Sequence, residues 1–204
     1  MKIVIEGMDG VGKSTVAQKL AQRLCAKYED GLMINFFREE GMTKEETEIL
    51  KKAIDICSKN ENSIIRTWVY GFANLFNLLH YKEDVVIDRH CLTTYFYNAD
   101  DKSREIYRFM QKIMGKPEYI FILRASVDTR RKRICKRSIS DPDLLDKKKM
   151  QYGYDKLEEA AQYLNLDYRI LDTDDKDVDM VVDEIMKILK EENHGIMLAD
   201  NGMV

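Results

Sequence analysis

Proline is nearly absent from this 204-residue chain, which has two, and no apolar run approaches the ~18 residues of a membrane-crossing helix. The first scarcity argues against a long flexible linker, the second against a transmembrane anchor. An excess of one charge is missing too. Thirty-three basic residues against 36 acidic leave a net charge of −3, so any nucleic-acid-binding surface would have to be local. Cys25, Cys57, Cys91 and Cys135 are scattered without metal-type spacing, and free thiols of a reducing cytoplasm are expected. No secretory leader fits, because an apolar strand starts at Lys2. Internal repeats and the guanine-recognition pattern Asn-Lys-x-Asp are also lacking. The length and the 45% hydrophobic, 34% charged composition fit one globular domain.

What is present begins at once. Residues 2–6 (KIVIE) read as a buried strand, and Gly7-Met8-Asp9-Gly10-Val11-Gly12-Lys13-Ser14 follows with the spacing G-x-x-x-x-G-K-S. Thr15 then opens a helical pattern over 15–28. Glycines in such a loop let successive N–H groups point at phosphate oxygens, and the helix N-terminus adds partial positive charge. Lys13 is expected to reach the β- and γ-phosphates of a nucleoside triphosphate, and the Ser14 hydroxyl to ligate Mg²⁺.

Further along, the pattern predicts strands over 31–37, 84–88, 119–123 and 167–171. It predicts helices over 62–81, 102–114, 127–137, 147–164 and 177–191, and another running from a Thr43/Glu46 capping box toward Cys57. The helix over 62–81 carries Ile64, Ile65, Trp68, Val69, Phe72, Leu75, Phe76 and Leu79, enough for burial on several faces. Strands alternating with helices imply an α/β three-layer sandwich with a parallel five-stranded sheet. Ligands sit at the carboxyl ends of such strands. Candidates there are the glycine loop, Arg38-Glu39, Asp88-Arg89-His90, Arg124 and Asp172-Thr173. The domain is expected to span 1–192 with a lid around 130–147, and residues 193–204 to form a flexible tail.

Asp88 ends its strand where a Mg²⁺ carboxylate is needed, or else caps the next turn. Arg89 can clamp a phosphate with two parallel hydrogen bonds, whereas His90 reads as packed or solvated.

With GMDGVGKST, REEG, DRH and a basic segment in this order, the chain resembles the thymidylate kinase family, within a wider group that includes deoxynucleoside kinases. The resemblance covers about 190 residues. It implies transfer of the ATP γ-phosphate to a nucleoside monophosphate and, as is usual in the family, a homodimer; from the charge balance and the short apolar runs, no nucleic-acid or membrane partner is expected. The resemblance places Gly7, Asp9, Gly10, Val11, Gly12, Lys13, Ser14, Thr15, Arg130, Asp172 and Thr173 at ATP. It puts Arg38, Arg89, Thr94, Tyr97 and Asn98 at the acceptor, with Tyr97 under the deoxyribose and Thr94 at the base. Core packing for Tyr97 and a helix-interior hydroxyl for Thr94 are the alternatives. Glu39 matches the glutamate that serves nucleoside kinases as a base. The family's Phe and, four residues on, Arg for the base are not matched: Trp68 or Tyr70 is available to stack, followed by Phe72 or Asn74.

Val11 stands where some members carry an arginine, so the lid is expected to supply that cation. On a helix Arg130, Arg133 and Arg137 share a face, while Arg131 points elsewhere. The leading reading is a cytoplasmic Mg²⁺·ATP-dependent kinase of a deoxynucleoside monophosphate such as dTMP. The alternatives are a deoxynucleoside kinase using Glu39 and a P-loop ATPase acting as a switch.

Overall fold

The computed structural model describes residues 1–137 and 147–200, with side chains for 1–136 and 153–192. Five parallel strands form one sheet in the order β2-β3-β1-β4-β5. They are β1 (Lys2–Gly7), β2 (Lys27–Asp30), β3 (Val85–Asp88), β4 (Tyr119–Arg124) and β5 (Arg169–Asp172). The apolar runs of β1, β3 and β4 take the central places, where both faces are covered. α1 (Lys13–Leu24) and α9 (Val178–Asp200) pack together, burying Val16, Leu20, Val182 and Ile185. A second group consists of α4 (Ser63–Leu79), α5 (Cys91–Asn98), α6 (Arg104–Met114) and α8 (Lys147–Tyr163). α3 (Lys44–Ser58) packs on α4, its start fixed by the Thr43/Glu46 capping box. α7 (Val127–Arg137) is the basic helix.

The structure corrects the second strand. α1 ends at Leu24, with Cys25 left-handed at φ 52°, and the strand is the charged KYED rather than 31–37. Residues Ile34–Glu39 form helix α2. The cause lies at its first turn, whose N–H groups need acceptors. Asp30 Oδ1 accepts from Leu32 and Ile34, and the buried Glu29 carboxylate accepts from Asn35 and Phe36. Two carboxylates at a helix N-terminus also favour its dipole.

α4 is a helix as expected, but turned over. Apart from Leu78 its buried residues are small or polar, among them Ser63, Thr67, Gly71 and Asn74, while Ile64, Ile65, Trp68, Phe72 and Leu79 are exposed. Gly71 shows why: Met110 of α6 occupies the space a Cβ would need. The last helix continues past residue 191 to Asp200.

Candidate active site

The glycine loop leaves β1 and enters α1 through backbone that only glycine adopts freely. Gly10 and Gly12 have φ of 85° and 98°, and a Cβ on Gly10 would stand 2.8 Å from the Arg130 carbonyl oxygen. α1 has no side-chain cap and no acidic residue in its first turn, so its N–H groups and dipole remain available to an anion. Lys13 is buried and donates to the Met8 carbonyl at 2.8 Å. Burial and then the Arg89 charge pull its ammonium down to about 7, against Asp9, Asp88 and Glu6.

Beside the loop, Asp9 joins three elements. Its carboxylate accepts from Arg89 at 2.6 Å and from the Tyr97 hydroxyl at 2.6 Å, and stands 3.9 Å from Lys13. Burial opposes its ionisation, yet Arg89, Lys13 and the two hydrogen bonds outweigh that and hold it well below the usual carboxylate range. Arg89 adopts a positive φ of 77° as the chain leaves β3. The following helix is anchored by Glu6, a buried carboxylate of β1 that accepts from the N–H groups of His90 (3.0 Å), Leu92 (3.0 Å) and Thr93 (3.2 Å) and from the Thr93 hydroxyl. His90 is buried against the Asn74 carbonyl at 3.0 Å, and burial pushes its imidazole down to about 4. It is a neutral packing residue.

Two cavities meet here. One, of about 430 Å³, is lined by the glycine loop, Lys13, Ser14, Thr15, Arg89 and Arg133. The other, of about 640 Å³, is lined by Asp30, Gly31, Lys51, Tyr70, Asp88, Thr94, Tyr97 and Asn98, and again by Ser14 and Arg89. Ser14 and Arg89 thus face both spaces. Asp88 Oδ1 is buried with no hydrogen-bond partner, the state of an atom available to a cation or its water. Ser14 and Asp88 in one cavity therefore fit Mg²⁺, whose other ligands in such sites are phosphate oxygens and water. Among the described residues no group of three or more His, Cys, Asp or Glu side chains could by itself hold a metal ion.

Other expected residues are placed differently. Arg38 and Glu39 lie outside both cavities, because α2 runs back along the sheet edge. Glu39 ends 2.6 Å from Lys27, at the opposite end of β2 from the glycine loop. Trp68 and Phe72 are exposed, while Tyr70 faces the larger cavity and Asn74 donates to the Thr94 hydroxyl at 2.8 Å. Arg130 is buried, with Nε on the Asp9 carbonyl at 2.9 Å. Arg133 donates to the Val11 carbonyl (3.0 Å) and to the Thr173 hydroxyl (2.9 Å) and carbonyl (2.7 Å), tying the glycine loop to the end of β5. Arg131 points into solvent. Asp172 lies in a separate hollow of about 300 Å³ beside Arg124 and Tyr154. Arg137 ends α7, and its side chain lies outside the described residues, as does the centre of the expected lid, 138–146.

Sequence reasoning missed Asp30, Lys51 and Glu6, and it named Asn74 only as a residue standing where the family carries an arginine for the base. Asp30-Gly31 carried the usable signal, an Asp-Gly pair after a short strand, had KYED been read as one.

A family model for thymidylate kinase matches residues 5–185. A protein of Methanocaldococcus jannaschii described as a probable thymidylate kinase is 29% identical over 200 residues, covering 95% of this chain and 98% of that one. Among solved structures, the chain is similar to a deoxyadenosine kinase from M. mycoides, with TM-score 0.61, 20% identity, and 94% of this chain and 99% of that chain covered. It is also similar to a thymidylate kinase from Candida albicans, with TM-score 0.60, 15% identity, and 94% and 92% covered.

Proposed function

The chain belongs to the thymidylate kinase family and is a nucleotide kinase, and from that premise we propose that it transfers the γ-phosphoryl group of Mg²⁺·ATP to a deoxynucleoside monophosphate, dTMP first among the candidates. One observation carries this reading: Ser14 and Arg89 line both cavities, so a triphosphate on the glycine loop and an acceptor in the larger space would meet at the same two side chains. The protein's work is positioning and charge stabilisation, which dominate phosphoryl transfer.

The loop N–H groups, the α1 N-terminus and Lys13 hold the β- and γ-phosphates. Arg89, fixed by Asp9, presents its guanidinium to the phosphate of the acceptor. Tyr97, on the same carboxylate, would flank the sugar, and Tyr70 and Thr94, which line the same cavity, would flank the base. Ser14 and Asp88 would hold Mg²⁺, which when bound neutralises charge on the transferring phosphates. Arg133 keeps the loop against β5. The proposal extends to a cytoplasmic homodimer. Among the described residues no helix is long and apolar enough to cross a membrane.

One observation favours a nucleoside acceptor instead: Asp30 lines the larger cavity, and burial pushes its proton affinity up. Such a group can act as a base toward a 5′-hydroxyl, a role the position of Glu39 denies to Glu39. The deciding experiment supplies ATP and Mg²⁺ with each common nucleoside and monophosphate and identifies the products. ADP with a new diphosphate is expected. A new monophosphate would replace the reading with a nucleoside kinase, and ADP with free phosphate would replace it with an ATPase.

A further inference from the structure

We propose that Lys51 of α3 is a phosphate-binding residue of the acceptor site, supplying the cation that Arg38 does not. The inference rests on the acceptor being a monophosphate.

Charge in the larger cavity poses the problem. A nucleoside monophosphate arrives as a near-dianion, and the cavity already contains the carboxylates of Asp30 and Asp88, whose backbones are register partners across β2 and β3. Arg89 offers one cation, but its guanidinium is shared with Asp9 at 2.6 Å. Arg38 sits on the exposed far end of α2 and does not line the cavity. Lys51 does line it.

Its place along the cavity favours phosphate over base. The Lys51 charge is felt at Asp30, where it helps to offset the cost of burying that carboxylate. Asp30 leads into Gly31, and a Cβ on Gly31 would stand 3.2 Å from the Arg89 carbonyl oxygen and 3.4 Å from the Arg89 Cβ. Lys51 therefore acts on Asp30, whose neighbour Gly31 packs against the backbone of Arg89, a residue that lines both cavities. Its partner in the structure is Glu48 at 2.9 Å, in a half-exposed surface pair of little strength that a phosphate can displace. A lysine, unlike an arginine, acts as a mobile point charge and can follow the phosphate as it is converted to a diphosphate.

The test measures binding of dTMP and of thymidine by calorimetry without ATP, alongside steady-state kinetics. Lys51→Gln should weaken dTMP binding ~10-fold or more, the loss expected for a charge-assisted contact. It should leave thymidine binding and the KM for ATP unchanged, since Lys51 does not line the glycine-loop cavity. Lys51→Arg should restore most of the loss, and Lys52→Gln, an exposed neighbour, should change nothing. Equal weakening of dTMP and thymidine would put Lys51 at the base and overturn the proposal. So would intact dTMP binding by Lys51→Gln, or a loss produced by Arg38→Ala instead. If the wild-type protein binds no deoxynucleoside monophosphate at all, the acceptor reading fails and the inference goes with it.

Discussion

Lys13 is an ammonium in surroundings that resist its charge, chiefly through burial and then through Arg89, which together bring it down to about 7. The unfolded value is about 10.4. Between the two values the unfolded chain therefore holds more protons, and stability should rise as pH climbs from 7 toward ~10. Phosphate reverses the balance, because a polyanion beside Lys13 favours the charged form. Binding of ATP at pH 8 should then take up protons, and at pH 6, where Lys13 is already charged, it should not. Calorimetry in buffers of different ionisation enthalpy reads this directly, and uptake that is equal at both pH values would show that Lys13 does not titrate on binding. Lys13→Ala should abolish turnover, because the contact is worth most where charge develops on the phosphates. Activity within about threefold of wild type would remove the loop from the mechanism.

At the scale of elements, the site depends on carboxylates that reach from one element to the start of another. Glu6 of β1 holds the first turn of α5, and with it the chain that carries Arg89. A glutamine there has one acceptor oxygen where the carboxylate has two, and turns an NH₂ toward donors. Glu6→Gln should therefore cost roughly 2–4 kcal/mol, read as a lower denaturant midpoint with an unchanged slope. An unchanged midpoint would show that these bonds are replaced at no cost. Contacts of this kind explain what the sequence could and could not disclose. The glycine loop and Asp88-Arg89 were legible because the chemistry and the strand that presents it are adjacent in the chain. KYED was not, because three of its four residues are charged and its pairing is supplied by β3. The run 31–37 looked like a strand because the acceptors that make 34–39 helical, Glu29 and Asp30, lie in the preceding segment. Arg38 and Glu39 were accordingly assigned to the wrong end of the sheet, and Lys51, on the helix opened by the Thr43/Glu46 capping box, was passed over.

At the scale of the molecule, the turned-over α4 leaves Ile65, Trp68, Phe72 and Leu79 exposed at spacings that place them on one face. α6, packed beside α4, adds exposed Phe109 and Ile113. Single exposed apolar residues are ordinary, but two neighbouring helices that both present them form a surface suited to covering. A second copy of the chain would cover it symmetrically. The same helix contributes Tyr70 to the larger cavity, and its Asn74 holds Thr94, so covering its outer face would also steady the wall proposed for the base. A dimer is therefore expected by light scattering at micromolar concentration. The double substitution Trp68→Glu with Phe72→Glu should yield monomers that remain folded, since neither side chain belongs to the protomer core, and should raise the KM for the acceptor more than that for ATP. A wild-type monomer, or a dimer indifferent to both glutamates, would mean that this face is not the interface. Monomers with an unaltered acceptor KM would keep the interface and remove its coupling to the site.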